Sequence, residues 1–140
     1  MNDKVLYSAK RGSQISVFLD NEPGALAKVC KLLGDNDINI HGLTVAEGID
    51  HGYLRMVVES KEGATKLLEK NGYMAFDREV VLLEVANDPG AFAVVSDIWS
   101  NKGINIDYAY CAGGPNVDRG LVVVHVGDID RALQCLEDAD

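Results

Sequence analysis

The sequence predicts an α+β chain of two tandem βαββαβ modules, and three observations carry that expectation. The chain matches itself at an offset of 66 residues. Each copy shows apolar residues first at a period of two and then at helical spacing. A Pro-Gly pair separates the two patterns at the same place in both copies. Asn21-Glu22-Pro23-Gly24-Ala25-Leu26-Ala27-Lys28-Val29 falls on Asn87-Asp88-Pro89-Gly90-Ala91-Phe92-Ala93-Val94-Val95, and Ile38-Asn39-Ile40 falls on Ile104-Asn105-Ile106. A two-residue insertion near Gly113-Gly114-Pro115-Asn116 resets the offset to 68. Gly52-Tyr53-Leu54 then meets Gly120-Leu121-Val122, while Ala64, Leu68 and Glu69 meet Ala132, Leu136 and Glu137.

Ile15, Val17 and Leu19 alternate with polar Gln14 and Ser16, as on a strand with one solvent face; Phe18 breaks the polar side. Val81, Leu83 and Val85 repeat the spacing. Pro-Gly ends each strand, and Pro suits the first turn of a helix because its missing N–H costs nothing there. Leu26, Val29 and Leu33 form an apolar helical stripe, matched by Phe92, Val95 and Trp99. Asp37 and Gly103 sit where these helices would stop. A strand from Ile38 to about Ala46, a turn at Gly48–Gly52 and a strand with Leu54, Met56 and Val58 follow. A second helix with Ala64, Leu67 and Leu68 closes at Asn71-Gly72. A last strand, Met74–Glu79, runs without a linker into Val80–Val85. The order β-α-β-β-α-β in some 65 residues is a split-βαβ, ferredoxin-like sandwich with helices on one face of an antiparallel sheet.

The domain boundaries read as 1–13, an N-terminal extension; 14–79, the first module; and 80–140, the second. The second module stops after its second helix and lacks its last strand, which leaves a sheet edge to be covered. Val5–Ala9 is the candidate edge strand, since the offset of 66 places Tyr7 and Ala9 on Tyr73 and Ala75. Val80-Val81-Leu82-Leu83 and Leu121-Val122-Val123-Val124 are apolar on both strand faces, so both faces are expected to be covered. Helices supply one cover. A second copy of the chain, in a homodimer, supplies the other; the competing reading is a locally folded loop.

The chain has 140 residues, 47% hydrophobic and 25% charged, which suits a folded globular protein. Thirteen basic residues against 22 acidic give a net charge of −9. Residues 1–70 carry 9 basic and 10 acidic groups and residues 71–140 carry 4 and 12, so the excess lies in the second half. This charge argues against nucleic acid or an anionic membrane as partner. The N-terminus shows no signal-peptide pattern, and Cys30, Cys111 and Cys135 are odd in number and widely spaced. Free thiols in the cytoplasm are the expected state.

The doubled pattern of strand, Asn-x-Pro-Gly-x-Leu, helix and Ile-Asn-Ile resembles the ACT domain family, ligand-sensing modules of regulated amino-acid enzymes. The resemblance covers residues 14–138 and extends to free-standing tandem proteins without an enzyme domain. It is similar at the same positions to the serine-sensing module of phosphoglycerate dehydrogenase, which implies that the matching asparagines hold an effector amino acid between two modules. The implied ligand-binding residues are Asn21, Pro23, Gly24, Ala25, Leu26, Asn39 and Ile40, and Asn87, Pro89, Gly90, Ala91, Phe92, Asn105 and Ile106. Phe92 departs from the small aliphatic residue usual there.

Physical chemistry supports the same use. A helix N-terminus favours a carboxylate, glycine allows close approach, and an asparagine amide offers both a donor and an acceptor. Asn39 starts a strand read as adjacent to the Asn21 loop, so both asparagines are expected to face one crevice, as are Asn87 and Asn105. Structural roles stand beside this reading: Asn21 and Asn87 as caps or turn residues, Asn39 and Asn105 as partners of loop backbone, Pro-Gly as turn chemistry. Side-chain selectivity would come from His41, Gly42, Leu43 and Thr44 in one copy and Asp107, Tyr108, Ala109 and Tyr110 in the other.

No catalytic constellation appears. His41, His51 and His125 have no metal-ligand spacing, and Ala112-Gly113-Gly114-Pro115 is no phosphate loop. The expected function is a non-enzymatic, cytoplasmic regulatory or sensor protein with no cofactor and no metal. Its expected partners are a free amino acid or related metabolite and a second copy of itself. The alternative is a regulatory subunit contacting an amino-acid biosynthetic enzyme, in the manner of the acetolactate synthase small subunit. An acylphosphatase-like hydrolase on the same fold would need an Arg on a phosphate-binding loop, which Arg55 and Arg119 lack.

Overall fold

Polar Asn21-Glu22 and Asn87-Asp88 end the alternation just before each Pro-Gly, and apolar residues at helical spacing follow it; the described residues form ten elements. The computed structural model describes residues 6–48 and 51–139. Val5 of the expected edge segment, Ile49 and Asp50 of the expected first hairpin turn, the Met1–Lys4 stretch and Asp140 lie outside them. The chain divides into two compact units: Ser13–Arg78, and Glu79–Asp140 together with the segment up to Gly12.

In the unit Ser13–Arg78, the second half of β1 (Tyr7–Asp20) leads into α1 (Ala25–Asp35), β2 (Ile40–Glu47), β3 (His51–Val58), α2 (Lys61–Lys70) and the start of β4 (Ala75–Ala86). The strand order is β2-β3-β1-β4. Val17 lies opposite Leu54 and Ile15 opposite Met56, while Val45 lies opposite Leu54 from the other side. The Phe18 amide donates to the Met74 carbonyl across β1 and β4 at 3.2 Å. Val29 and Leu33 of α1 and Ala64 and Leu68 of α2 pack on Ile15, Val17, Leu19, Leu54 and Met56. Tyr73 and Ala75 flank this core.

The other unit takes residues 7–12 of β1 and the remainder of β4, then α3 (Ala91–Asn101), β5 (Ile106–Ala112), β6 (Arg119–Val126) and α4 (Ile129–Asp138). Its strand order is β5-β6-β4-β1. The Ala86 amide donates to the Leu6 carbonyl at 2.8 Å, so the N-terminal segment runs beside β4. Tyr7 and Ala9 pack against the core, and the Tyr7 hydroxyl donates to the Leu136 carbonyl at 3.3 Å. Trp99 is wholly buried and its Nε1 donates to the Ala132 carbonyl at 3.0 Å, tying α3 to α4. Asp128 caps α4 by accepting from the Arg131 amide.

Helices α1, α2 and α3 end alike. Asp37, Gly72 and Gly103 adopt positive φ, at 58°, 86° and 72°. Ile38, Tyr73 and Ile104 then donate back to the carbonyls of Leu33, Leu68 and Trp99.

Two details differ from the sequence expectation. Gln14, read as a solvent-facing residue, is wholly buried, with Nε2 3.5 Å from Ser16 Oγ. Val80 and Val123, for which a second copy was expected to supply the cover, are wholly buried within the single chain. Both lie outside the helix-side core, so their burial needs no dimer. No helix among the described residues is long and apolar enough to cross a membrane.

Candidate functional site

Gly24 and Gly90 are the residues immediately before α1 and α3, with φ of 88° and 80°. A side chain there would meet no atom within 4 Å, so the left-handed backbone alone calls for glycine. Asn21, Pro23, Asn87 and Pro89 are exposed on the preceding turns; Ala25, Leu26 and Phe92 are partly buried and Ala91 is buried in the first helical turns. Neither helix has a side-chain cap at that position. The N-cap position is a glycine in both helices, so Asn21 and Asn87, three residues earlier, do not occupy it.

Asn87 has a different occupation. Its amide Nδ2 donates to the carbonyls of Pro115 and Val117, at 3.1 and 2.8 Å, and its backbone amide donates to the Asp118 carbonyl at 2.9 Å. Three bonds from one residue thus hold the inserted turn between β5 and β6. Below that turn lies a cleft of about 240 Å³, lined by Val85, Asn87, Phe92, Cys111, Gly120 and Leu121 among others.

Asn39 and Asn105 are exposed immediately before β2 and β5. Asn105 lines a separate cleft with Ser96, Ser100 and Gly103. Its Nδ2 donates to Asp107 Oδ1 at 3.3 Å; Asp107 Oδ2 lies 2.9 Å from His125 Nδ1, and the Tyr108 ring stacks on His125 at 5.1 Å. Ile40 and Ile106, which follow the asparagines, are partly buried against their cores.

Topology corrects the expected shared crevice. β3 lies between β1 and β2, and β6 lies between β4 and β5. Asp20 pairs with His51 at one end of β3, and Ile40 pairs with Val58 at the other. Seven residue steps, roughly 23 Å of strand, separate the Asn21 end from the Asn39 end. Ala86 with Arg119 and Ile106 with Val126 repeat the separation along β6. Within a module, the two asparagines sit at opposite ends of the sheet.

The ACT domain pair family matches residues 11–138. The chain belongs to the ACT domain pair family. As an ACT domain pair it is similar to protein BT0572 from Bacteroides thetaiotaomicron, at 31% identity and a TM-score of 0.86, over 94% of this chain and 90% of that one. Its fold is also similar to the ligand-free regulatory subunit of aspartate kinase from Thermus thermophilus, at 17% identity and a TM-score of 0.67, over 96% and 99% of the two chains. E. coli aspartokinase III in complex with lysine and aspartate shares the fold at 15% identity and a TM-score of 0.57, over 94% of this chain and 31% of that one. No curated protein matches the ACT pair in sequence. Among its described residues, no three His, Cys, Asp or Glu side chains are grouped to hold a metal ion.

Sequence reasoning missed the cleft under the β5–β6 turn. The signal was present in the two-residue insertion and in Gly120, but nothing local links Asn87 to a turn 28 residues away.

Proposed function

We propose that this ACT pair is a regulatory or sensor protein that binds a free amino acid between modules of two chains. The observation that carries the reading is the doubled Asn-x-Pro-Gly turn and strand-leading Asn, placed at opposite ends of each sheet. β2 and β5 end the strand orders of their units. If such an edge pairs antiparallel with the same edge of another module, the start of one strand lies at the end of its partner. The Asn39 or Asn105 of one module then shares a sheet end with the Asn21 or Asn87 turn of the other. Two amides and a glycine-led helix start thereby frame a carboxylate and an ammonium.

The β2 edge also carries apolar surface suited to pairing. Leu43 and Val45 lie opposite core residues Met56 and Leu54, yet remain 38% and 49% exposed. Exposed aliphatic side chains on an unpaired strand favour a partner. Regulatory subunits and a kinase with lysine and aspartate occur among the proteins of similar fold, in keeping with an effector role.

A thermal-shift screen of the full chain against the twenty amino acids at millimolar concentration tests the reading. A ligand at a hundredfold excess over Kd stabilises the folded state by about 2.7 kcal/mol, a shift of several degrees for a chain of this size. One hit or a few related hits, abolished in the Asn39→Ala, Asn105→Ala double variant, is the expected outcome. No hit, with a large enzyme co-purifying, would favour a regulatory subunit that acts by protein contact.

A further inference from the structure

The helix-side face of β6 carries Val122, Val124 and Val126, each buried in the core. The next position on that face is Gly120, which lies opposite the core residue Val85. Neither usual reason for glycine applies there. Its φ is outside the left-handed range, and an added Cβ would meet only the Ala112 carbonyl oxygen, at 3.7 Å. What the missing side chain leaves is room, and that room is part of the cleft of about 240 Å³ beside Phe92 and Leu121. The cleft wall is mostly carbon, with the exposed Asn87 and Asp88 among its lining residues. Both Asn87 amide hydrogens are committed to Pro115 and Val117, so Oδ1, an acceptor, is the atom it has left to offer.

We propose that the cleft beneath the Asn87-held turn is a subsite for the aliphatic side chain of an amino acid. The inference rests on the amino-acid-binding reading above and names its ligand class. A carbon wall rewards an aliphatic group; Asp88, the one charged residue among those lining the cleft, is exposed and acidic, so an anionic side chain is disfavoured there and a cationic one could pair with it only at the solvent edge. The Asn87 Oδ1 accepts from the ammonium. Gly120 sets the depth of the subsite, and the turn of 113–117 forms its rim.

The test is calorimetric titration of the full-length protein, its Gly120→Val variant and its Gly120→Ala variant with valine, leucine and isoleucine, and with lysine and aspartate as charged controls. Gly120→Val narrows the cleft without a backbone penalty. Aliphatic binding is expected to weaken at least about tenfold in that variant, the effect of a misfit of a methyl group or two, with a smaller loss in Gly120→Ala. The far-UV circular dichroism of the unliganded protein stays unchanged. Unaltered aliphatic affinity in both variants, or binding of charged amino acids only, would overturn the subsite while leaving amino-acid binding intact. Absence of binding by any of the twenty amino acids would overturn the function reading and the subsite with it. If Gly120→Val does not fold, the single methyl of Gly120→Ala decides.

Discussion

Tyr7 and Tyr73 hold matching places in two separate cores. Tyr7 packs on the core of α3 and α4, where its hydroxyl donates to the Leu136 carbonyl; Tyr73 packs on the core of α1 and α2, where its backbone amide donates to the Leu68 carbonyl. Leu68 and Leu136 are themselves equivalent in the repeat. Tyr7 and Ala9 thus do for one unit what Tyr73 and Ala75 do for the other, although one pair precedes the repeat and the other closes its first copy. Tyr7→Phe removes one hydrogen bond and is expected to cost about 1 kcal/mol, and Tyr7→Ala about 2 kcal/mol through lost packing. Urea unfolding measures both.

Trp99 is the single tryptophan, wholly buried in the unit that includes residues 79–139. Its fluorescence reports that unit alone. Removing residues 1–12 is expected to shift the fluorescence transition to much lower urea and to expose the ring. An unchanged transition would show that the N-terminal strand contributes nothing to this core.

Gly24→Ala and Gly90→Ala isolate a backbone effect, because neither new methyl group meets a neighbour. Each is expected to cost roughly 1–2 kcal/mol, the penalty of a left-handed L-residue. Asn at the same position recovers part of the loss. Thermal denaturation of the two variants checks this, and a clearly larger loss would mean that the turn itself rearranges.

Asn87→Ala removes two exposed hydrogen bonds from the turn of 113–117. The global stability change should stay below about 2 kcal/mol, while proteolytic cleavage within that turn accelerates. Equal cleavage in wild type and variant would show that the turn is held by other groups.

Much of the fold was legible because its signals are local. The period-two and helical patterns, the Pro-Gly starts and the closures at Gly72 and Gly103 each depend on a few neighbouring residues, and the repeat shows the patterns and the Pro-Gly starts in duplicate. Three features were not legible, for a common reason. Gln14 looks solvent-facing by alternation, but burial depends on what covers a strand face. β1 continues back to Tyr7 through Lys10, Arg11 and Gly12, where no alternation marks a strand. The separation of Asn21 from Asn39 follows from β3 inserting between their strands, a long-range choice that spacing along the chain does not encode.

β1 is one continuous strand of 14 residues, with residues up to Gly12 in one unit and those from Ser13 in the other. On a ribosome the two halves have different fates. Ser13–Asp20 finds its partner β3 within about forty residues of further synthesis, whereas Tyr7–Gly12 waits for the far half of β4, some seventy residues later. During that interval a short edge carrying Lys10 and Arg11 stays unpaired, and its charges discourage pairing with another nascent chain. Residues 7–12 are therefore locked into place only once β4 has been made, and a cut after residue 78 would yield one fragment with its strands complete and one deprived of an outer strand.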